Sequence, residues 1–185
     1  MKGQGRRPAK KPGSVRIIGG EWRGRRLSVP DVEGLRPSGD RCRETLFNWL
    51  QPSLHGARCA DIFAGTGVLG LEAVSRGAAS AVLVERSHQA AAAILDSVAL
   101  LGATGRVSVV EADALSWLAI QPAASIDIAF VDPPFASSLA EPAMQALAQS
   151  PSLRRGGIVY LESAVAHARP PAGKGWKFGG WDFLK

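Results

Sequence analysis

From residue 58 onward, short apolar runs alternate with amphipathic segments, which is the pattern of strands that alternate with helices. The apolar runs predict strands over 58–63, 81–85, 106–110, 126–131 and 157–162. The amphipathic segments predict helices over 68–76, 88–101, 114–118 and 139–149. Ser87 is the expected N-cap of the second helix, and Ser138 with Glu141 is spaced as a capping box for the last. Because apolar strands joined by helices form a parallel sheet covered on both faces, the predicted fold class is α/β.

The chain before residue 36 has a different pattern. Residues 1–14 have almost nothing to bury and are predicted to be a disordered basic tail. Residues 15–35 carry short apolar pieces around glycines, which predicts a β-hairpin with Arg23, Arg25 and Arg26 at or near its turn.

Residues 36–185 are predicted to form one domain that begins with an amphipathic helix. The apolar positions of this helix are Cys42, Leu46, Trp49 and Leu50, and Pro52 is expected to end it. In the helix over 88–101, the apolar side chains predicted to share a face are Ile94, Leu95, Val98 and Leu101.

The composition fits a single globular domain, with 185 residues of which 46% are apolar and 21% charged. No uncharged apolar run approaches the roughly 18 residues of a membrane span, and no apolar run follows the basic N-terminus as in a secretory signal. Cys42 and Cys59 have no CxxC or His-rich context, so reduced thiols are expected and no metal site is predicted. We therefore expect a cytoplasmic protein without membrane segments.

The basic residues are concentrated at one end of the chain. Residues 1–43 hold 12 Lys or Arg against 4 Asp or Glu, whereas residues 44–185 hold 10 against 12. This asymmetry suggests a polyanionic partner, most simply nucleic acid, although a solubilising tail is the alternative. Trp22 lies among the hairpin arginines and can stack on a base, but packing against the protein body is the more frequent fate of a tryptophan.

A glycine-rich turn follows the first strand of the domain, in the run Asp61-Ile-Phe-Ala-Gly65-Thr-Gly67-Val-Leu-Gly70. Glycines there let the backbone approach a ligand closely, and the N-terminus of the next helix adds favourable dipoles. Such turns serve both dinucleotide and S-adenosylmethionine enzymes, and a tight turn without any ligand is the alternative. Asp61 favours a ligand with a cationic amine, because its carboxylate would repel a pyrophosphate.

Two further acids follow predicted strands. Glu85 ends its strand about 20 residues after the glycines, where a carboxylate can accept hydrogen bonds from both hydroxyls of a ribose. A solvated glutamate is the alternative. Asp113 follows the next strand and is either an acceptor for an adenine amino group or the N-cap of the next helix.

The most specific motif is Asp132-Pro133-Pro134-Phe135, directly after the strand over 126–131. Ligands of open α/β sheets bind at the carboxyl ends of strands, so this motif faces the same crevice as the glycines. Two prolines remove two backbone donors and stiffen the chain, which leaves a carboxylate and bare carbonyls beside an aromatic ring. This edge suits an exocyclic amine of a nucleobase, a poor nucleophile that acceptors on its N–H bonds can aim at an electrophile.

Asp132-Pro-Pro-Phe is similar to the Asn/Asp-Pro-Pro-aromatic motif of S-adenosylmethionine enzymes that methylate amino groups. Together with the blocks at 17–27, 35–50 and 61–67, it resembles the RsmD-type family of bacterial small-subunit ribosomal RNA guanine-N2 methyltransferases. The resemblance covers about residues 16–163. It implies a Rossmann-like S-adenosylmethionine-dependent methyltransferase fold with an N-terminal β-hairpin appendage.

The resemblance implies a guanine of ribosomal RNA as substrate, presented on an assembling small-subunit particle, and S-adenosylmethionine as cofactor; we expect a monomer. The residues expected to bind the cofactor are Asp61, Ala64, Gly65, Gly67, Glu85 and Asp113. The catalytic residues are expected to be Asp132 and Pro133, which orient the amine, and Phe135, which stacks on the base. The expected RNA contacts are Arg16, Trp22, Arg23, Arg25, Arg26 and Arg36, together with the tail.

Three other functions stay open. An adenine-N6 methyltransferase acting on DNA or RNA would use the same acceptor edge. An NAD-dependent reductase would share the glycine-rich turn, but Asp61 disfavours it. A non-catalytic RNA-binding assembly factor would keep the fold without the activity.

Overall fold

The structure, a computed structural model, describes residues 13–30, 32, 39–134 and 137–162. Arg36, Phe135, the tail before residue 13 and the segment after residue 162 lie outside the described residues. The roles expected for them stay predictions.

The predicted N-terminal hairpin is present. β1 (Gly13–Arg16) pairs antiparallel with β2 (Arg26–Val29). The hairpin begins earlier than predicted, because Gly13 pairs with Val29 and Ser14 with Ser28, so assigning Gly13 and Ser14 to the tail was wrong. Both residues are exposed, and backbone pairing of exposed residues leaves no apolar pattern in the sequence.

The rest of the described chain is α1 (Asp40–Leu54) followed by alternating strands and helices. These are β3 (Arg58–Asp61), α2 (Val68–Ser75), β4 (Ser80–Glu85), α3 (His88–Leu100), β5 (Val107–Glu111), α4 (Ala114–Ala119), β6 (Ile126–Val131), α5 (Ala140–Gln149) and β7 (Leu153–Leu161). Ser87 caps α3 as predicted, since its hydroxyl accepts a hydrogen bond from the Ala90 backbone N–H at 3.3 Å.

The strands from β3 to β7 form one parallel sheet in the order β5-β4-β3-β6-β7. The chain moves from β3 through β4 to β5 and then places β6 on the other side of β3. The strand order therefore reverses between β3 and β6, and open α/β sheets bind ligands outside the carboxyl ends of strands at such a switch point.

Helices cover both faces of this sheet and bury its apolar side chains. One face packs against α1, α2 and α3, and its buried side chains include Phe47, Leu71, Leu83, Ile94 and Phe130. The other face packs against α4 and α5, with Trp117, Leu118, Val131, Met144 and Leu147. Both faces are apolar because the strands are covered on both sides, which confirms the predicted α/β class.

Three predictions about helices α1 and α3 were wrong. Cys42 and Trp49, expected on the apolar face of α1, are both exposed, Trp49 to 57%. Pro52 lies inside α1, which continues to Leu54, because the Leu54 side chain is fully buried against the sheet and holds the last turn in place. Leu95 is 53% exposed, although Ile94 and Val98 are buried. Consecutive helical residues point about 100° apart, so only the narrow stripe through Ile94 and Val98 meets the sheet.

The predicted capping box of α5 is also absent. Leu139 is the N-cap, its backbone is already helical, and no side chain caps it. Glu141 instead accepts a hydrogen bond from Gln145 one turn later, at 3.2 Å. Ser138 therefore precedes the cap position by one residue.

A buried carboxylate in α2 fixes the hairpin to the sheet domain. Glu72 accepts hydrogen bonds from the backbone N–H groups of Ile18 at 2.9 Å and Gly19 at 2.8 Å. It also pairs with the guanidinium groups of Arg43 at 3.0 Å and Arg76 at 2.9 Å. Because Glu72 and Arg43 are fully buried, removing either partner would leave an uncompensated charge, which makes the attachment rigid.

Ser75, at the last turn of α2, binds the hairpin turn. Its carbonyl accepts the Glu21 N–H at 2.7 Å, and its hydroxyl accepts the Trp22 N–H at 2.9 Å. The same hydroxyl donates to the Gly19 carbonyl at 2.6 Å. The turn of the hairpin thus lies at the end of α2, which is the amino end of the sheet.

Gly20→Ala is expected to loosen the hairpin, because a Cβ at residue 20 would lie 1.8 Å from the Ser75 carbonyl oxygen. Gly24→Ala is the matched control: both glycines have positive φ, +79° and +83°, but a Cβ at residue 24 meets nothing within 4 Å. The control carries only backbone strain of about 1–2 kcal/mol. We expect Gly20→Ala to lower the free energy of unfolding by about 2 kcal/mol more, as measured by chemical denaturation. Equal losses would show that α2 does not restrict residue 20.

Candidate active site

The acids at the carboxyl ends of the central strands project to one side of the sheet. Cys59, Leu83 and Phe130 are buried on the face covered by α1, α2 and α3. Side chains alternate along a strand, so residues two positions further point to this same side. These residues are Asp61, Glu85 and Asp132. The structure thus brings together the three acids that the sequence placed in one crevice.

Asp61 is the most buried of the three, with 1% of its surface exposed. Its Oδ2 accepts a hydrogen bond from the Gly70 backbone N–H at 3.1 Å. The pKa of the Asp61 carboxyl is raised to about 7, mainly by burial and also by the nearby charges of Asp132 and Glu85, against the lowering effect of the Gly70 hydrogen bond. Such a carboxylate is stabilised by any cation that enters the crevice.

Glu85 is half-buried and held by two backbone donors. Its Oε2 accepts the Gly65 N–H at 2.8 Å, and its Oε1 accepts the Ser87 N–H at 2.7 Å. This excludes a loosely solvated strand-end glutamate. A carboxylate oxygen has a second lone pair, so each oxygen can still accept a hydroxyl hydrogen.

Backbone N–H groups of the glycine-rich turn donate hydrogen bonds to other groups of the protein. Ala64 donates its N–H to the Val84 carbonyl at 2.9 Å, and Gly67 donates to the Ala64 carbonyl at 2.6 Å. Gly67 has a φ of +74°, and a Cβ there would lie 3.0 Å from Ile94. The glycine at 67 is therefore required by the turn and by its packing on α3, while the turn itself shapes the wall of the crevice beside Glu85.

Asp113 is the N-cap of α4, one of the two roles the sequence left open. Its Oδ1 accepts both the backbone N–H of Ser116 at 2.9 Å and the Ser116 hydroxyl at 3.0 Å. These hydrogen bonds lower the pKa of the Asp113 carboxyl, so it is ionised at neutral pH. The side chain is exposed beside the end of β5, and both bonds with Ser116 use the same oxygen.

The Asp132-Pro133-Pro134 edge follows β6 directly. Asp132 is half-buried, Pro133 buried and Pro134 exposed. The Pro134 carbonyl accepts both the Ser137 N–H at 2.8 Å and the Ser137 hydroxyl at 2.7 Å. The carbonyl of the second proline is therefore already used by the protein.

Of the hairpin arginines, Arg25 lies away from this crevice. Arg25 donates to the Leu100 carbonyl at 3.1 Å, at the C-terminal end of α3 and therefore at the amino end of the sheet. Arg16 and Arg26 lie on the paired strands and bond to Asp40 and Ser14, respectively, each at 2.7 Å. The side chains of Arg16, Arg23, Arg25 and Arg26 are all exposed.

Trp22 is 6% exposed, and the Arg106 guanidinium lies over its ring at 5.0 Å from the ring centroid. The prediction that Trp22 contacts RNA is wrong for this conformation, because both the core and Arg106 cover the ring. Trp22 instead anchors the hairpin turn, which is the packing role that the sequence had left open.

The sequence did not identify Glu162 and Tyr160 as residues of this site. Glu162 directly follows β7, and its backbone N–H donates to the Val131 carbonyl at 2.9 Å. It therefore lies beside Asp132 at the carboxyl end of the sheet. Tyr160 donates its hydroxyl hydrogen to Glu162 at 3.0 Å. The predicted strand over 157–162 ends at this glutamate, but only the strand order shows that β7 neighbours β6.

Within the part of the chain that the structure describes, no helix is long and apolar enough to cross a membrane. The same residues contain no group of three or more His, Cys, Asp or Glu side chains arranged to hold a metal ion.

The family expected from the sequence blocks is confirmed by comparison with known proteins. A family model described as conserved hypothetical protein 95 matches residues 15–178. Ribosomal RNA small subunit methyltransferase D of Escherichia coli K12 is 46% identical over 164 residues, which cover 89% of this chain and 82% of that protein. The Haemophilus influenzae protein of the same name is 41% identical over 153 residues, covering 82% and 79%.

Solved structures agree with this assignment. The Escherichia coli protein yhhF superposes with a TM-score of 0.73 and 45% identity, covering 80% of each chain. A Thermus hypothetical protein superposes with a TM-score of 0.69 and 34% identity, covering 80% of this chain and 85% of that one. The chain therefore belongs to the family of the ribosomal RNA small subunit methyltransferases D.

Proposed function

We propose that this protein transfers a methyl group from S-adenosylmethionine to the exocyclic N2 amine of a guanine in small-subunit ribosomal RNA. The observation that carries the proposal is the position of the Asp132-Pro133 edge beside the buried carboxylate of Asp61. The first supplies acceptors for an amine, and the second supplies the negative charge that a cationic methyl donor needs. The names of the family members support ribosomal RNA as the substrate.

The residues of the crevice fit S-adenosylmethionine. Its ammonium group would pair with Asp61, whose burial makes the ionised carboxylate costly until a cation enters. Its ribose hydroxyls would donate to the fixed oxygens of Glu85, and the second oxygen of Asp113 would accept from the adenine amine. Ala64, Gly65 and Gly67 would form the wall beside the methionine part. When bound, this cofactor supplies an electrophilic methyl group on a sulfonium.

The substrate amine would be held by Asp132 and the carbonyl of Pro133. The lone pair of a guanine amine is delocalised into the ring, so the nitrogen is a weak nucleophile. Two acceptors on its N–H bonds draw electron density onto the nitrogen and aim it along one direction. The prolines keep these acceptors in place, so positioning supplies most of the rate, with Phe135 stacked on the base.

The RNA would extend beyond the crevice to the basic N-terminal part. Exposed Arg16 and Arg26 lie on the hairpin strands, while Arg23 and Arg25 lie near the turn, where they would contact phosphates far from the methylated base. Arg36 and the basic tail would add further contacts. Because the base must leave its stack to reach Asp132, we expect extrusion of the guanine and a partly assembled particle as substrate, bound by a protein monomer.

The direct test compares methyl transfer from labelled S-adenosylmethionine to small-subunit particles and to duplex DNA. Particles isolated from a strain lacking this protein are expected to accept about one methyl group each, recovered as N2-methylguanosine after nuclease digestion. Particles from the parent strain, already methylated, are the matched control and should accept none. Label in N6-methyladenosine, or transfer to DNA instead of particles, would contradict the proposal.

Deleting residues 1–12, which carry five Lys or Arg and no acid, is expected to weaken binding to the particle. The slope of log affinity against log salt concentration should fall by about 3–4, because each phosphate contact contributes roughly 0.7–0.9. Affinity for S-adenosylmethionine should stay the same. A variant with an uncharged Gly/Ser segment of equal length controls for chain length. Unchanged affinity for the particle would leave the tail only a solubilising role.

A further inference from the structure

The carboxyl end of β7 adds an acid to the edge where the amine would bind. β7 pairs with β6 in register, with Val131 opposite Leu161, and the Glu162 N–H extends the pairing to the Val131 carbonyl at 2.9 Å. Glu162 is therefore the neighbour of Asp132 on the next strand, and neighbouring strands lie about 4.8 Å apart. Phe130 and Tyr160 are paired and contact each other edge to face on the face of the sheet that α1 covers. Asp132 and Glu162 lie two positions further along, so they point to the same side of the sheet.

Tyr160 fixes the orientation of Glu162. The Tyr160 side chain is 7% exposed and packs against Phe130, with ring centroids 6.5 Å apart. Its hydroxyl donates to Oε2 of Glu162 at 3.0 Å. Burial, together with the charge of Glu162, raises the pKa of Tyr160, so its hydroxyl keeps the proton that makes this bond.

We propose that Glu162 accepts the N1–H of the substrate guanine while Asp132 accepts an N2–H, so that this pair of carboxylates selects guanine over adenine. This inference rests on the proposed function. Guanine presents two adjacent donors on this edge, N1–H and the N2 amine. Adenine presents an amine beside N1, which is an acceptor, and a carboxylate facing that lone pair repels it. The Glu162 position therefore distinguishes the two bases that Asp132 alone would treat alike.

The test uses particles whose methylated position carries either guanine or 2-aminopurine, introduced by RNA ligation. 2-Aminopurine keeps the 2-amino group, but its N1 is an acceptor. We expect the wild-type protein to prefer guanine by about 100-fold or more in kcat/KM, and Glu162→Gln, whose amide can donate to N1, to lower this preference at least about 10-fold. Intrinsic differences between the two bases cancel in this comparison. Glu141→Gln, on the opposite face of the sheet, is the matched control and should keep the wild-type preference.

Tyr160→Phe is the second variant and tests the positioning role. It keeps the packing on Phe130, and it is expected to reduce the preference for guanine by about 3- to 10-fold without changing the affinity for S-adenosylmethionine. A base preference that stays within about twofold of wild type in both Glu162→Gln and Tyr160→Phe would overturn the inference. Absence of N2-methylguanosine with wild-type protein would instead overturn the proposed function, so the two failures are distinguishable.

Discussion

Asp132→Ala is expected to lower the rate of methyl transfer to the particle by about 10³-fold, because it removes the acceptor that aims the amine at the methyl donor. Asp132→Asn keeps a carbonyl oxygen at the same place and should retain much more activity, with a loss of about 10- to 100-fold. Single-turnover rates on particles lacking the modification measure both losses.

Binding measurements show whether these losses come from the methyl-transfer step or from weaker binding of the particle or the cofactor. Affinity for the particle should stay within a few-fold of wild type in both Asp132 variants. Affinity for S-adenosylmethionine at pH 6.5 should stay equal or rise slightly, because the charge of Asp132 contributes to the raised pKa of Asp61. Full methylation of ribosomal RNA in cells that carry only the Asp132→Ala protein would contradict the proposed role of Asp132. Normal function of the Asp132→Ala protein in cells without methylation would favour a non-catalytic assembly factor.

Asp61→Asn is expected to weaken binding of S-adenosylmethionine by about 100-fold and, at pH 8, to stabilise the protein. The side chain is fully buried and the pKa of its carboxyl is raised to about 7, whereas an unfolded aspartate titrates near 3.9. Ionising Asp61 at pH 8 therefore costs folding free energy of the order of 4 kcal/mol. Asparagine removes this cost and keeps an acceptor for the Gly70 N–H, so Tm should rise by up to about 8–16 °C.

The raised pKa of Asp61 also determines how the stability of the folded protein depends on pH. Between about pH 4 and pH 7 the folded state holds the Asp61 proton and the unfolded state does not. The contribution of Asp61 to stability is therefore present at low pH and is lost as the pH rises to about 7. In Asp61→Asn this part of the stability profile should be flat.

Whereas the stability contribution of Asp61 is lost as the pH rises, the affinity for S-adenosylmethionine should increase. An ammonium group binds the ionised carboxylate, so the wild-type affinity should be about tenfold weaker at pH 6 than at pH 8, with close to one proton released on binding at pH 6. Calorimetry in buffers of different ionisation enthalpy measures this release. An affinity that does not depend on pH, or that Asp61→Asn leaves unchanged, would place the ammonium group elsewhere.

The sequence predicted the sheet well because its signals are local. Apolar runs bounded by turn residues mark β3 to β7, and Ser87 is recognisable as a cap from its own neighbourhood. Asp61, Glu85 and Asp132 were placed in one crevice by a general property of parallel sheets, since the carboxyl ends of their strands meet at one edge.

Features that depend on contacts between distant segments were missed. Glu72 is the one charged residue of α2, which is visible in the sequence, but its partners Ile18 and Arg43 are 54 and 29 residues away. Trp22 was assigned to RNA because its neighbours in the chain are arginines, whereas its neighbour in space is Arg106. In the same way, Glu162 became a site residue only once β7 was known to lie beside β6.

The decisive experiment is a crystal structure of the protein with S-adenosylmethionine bound. We expect the ammonium group to lie at hydrogen-bond distance from Asp61, about 2.7–3.2 Å, and the sulfonium methyl to point towards the space in front of Asp132 and Pro133. A methyl group directed away from Asp132, or a cofactor bound outside the crevice between β3 and β6, would contradict it.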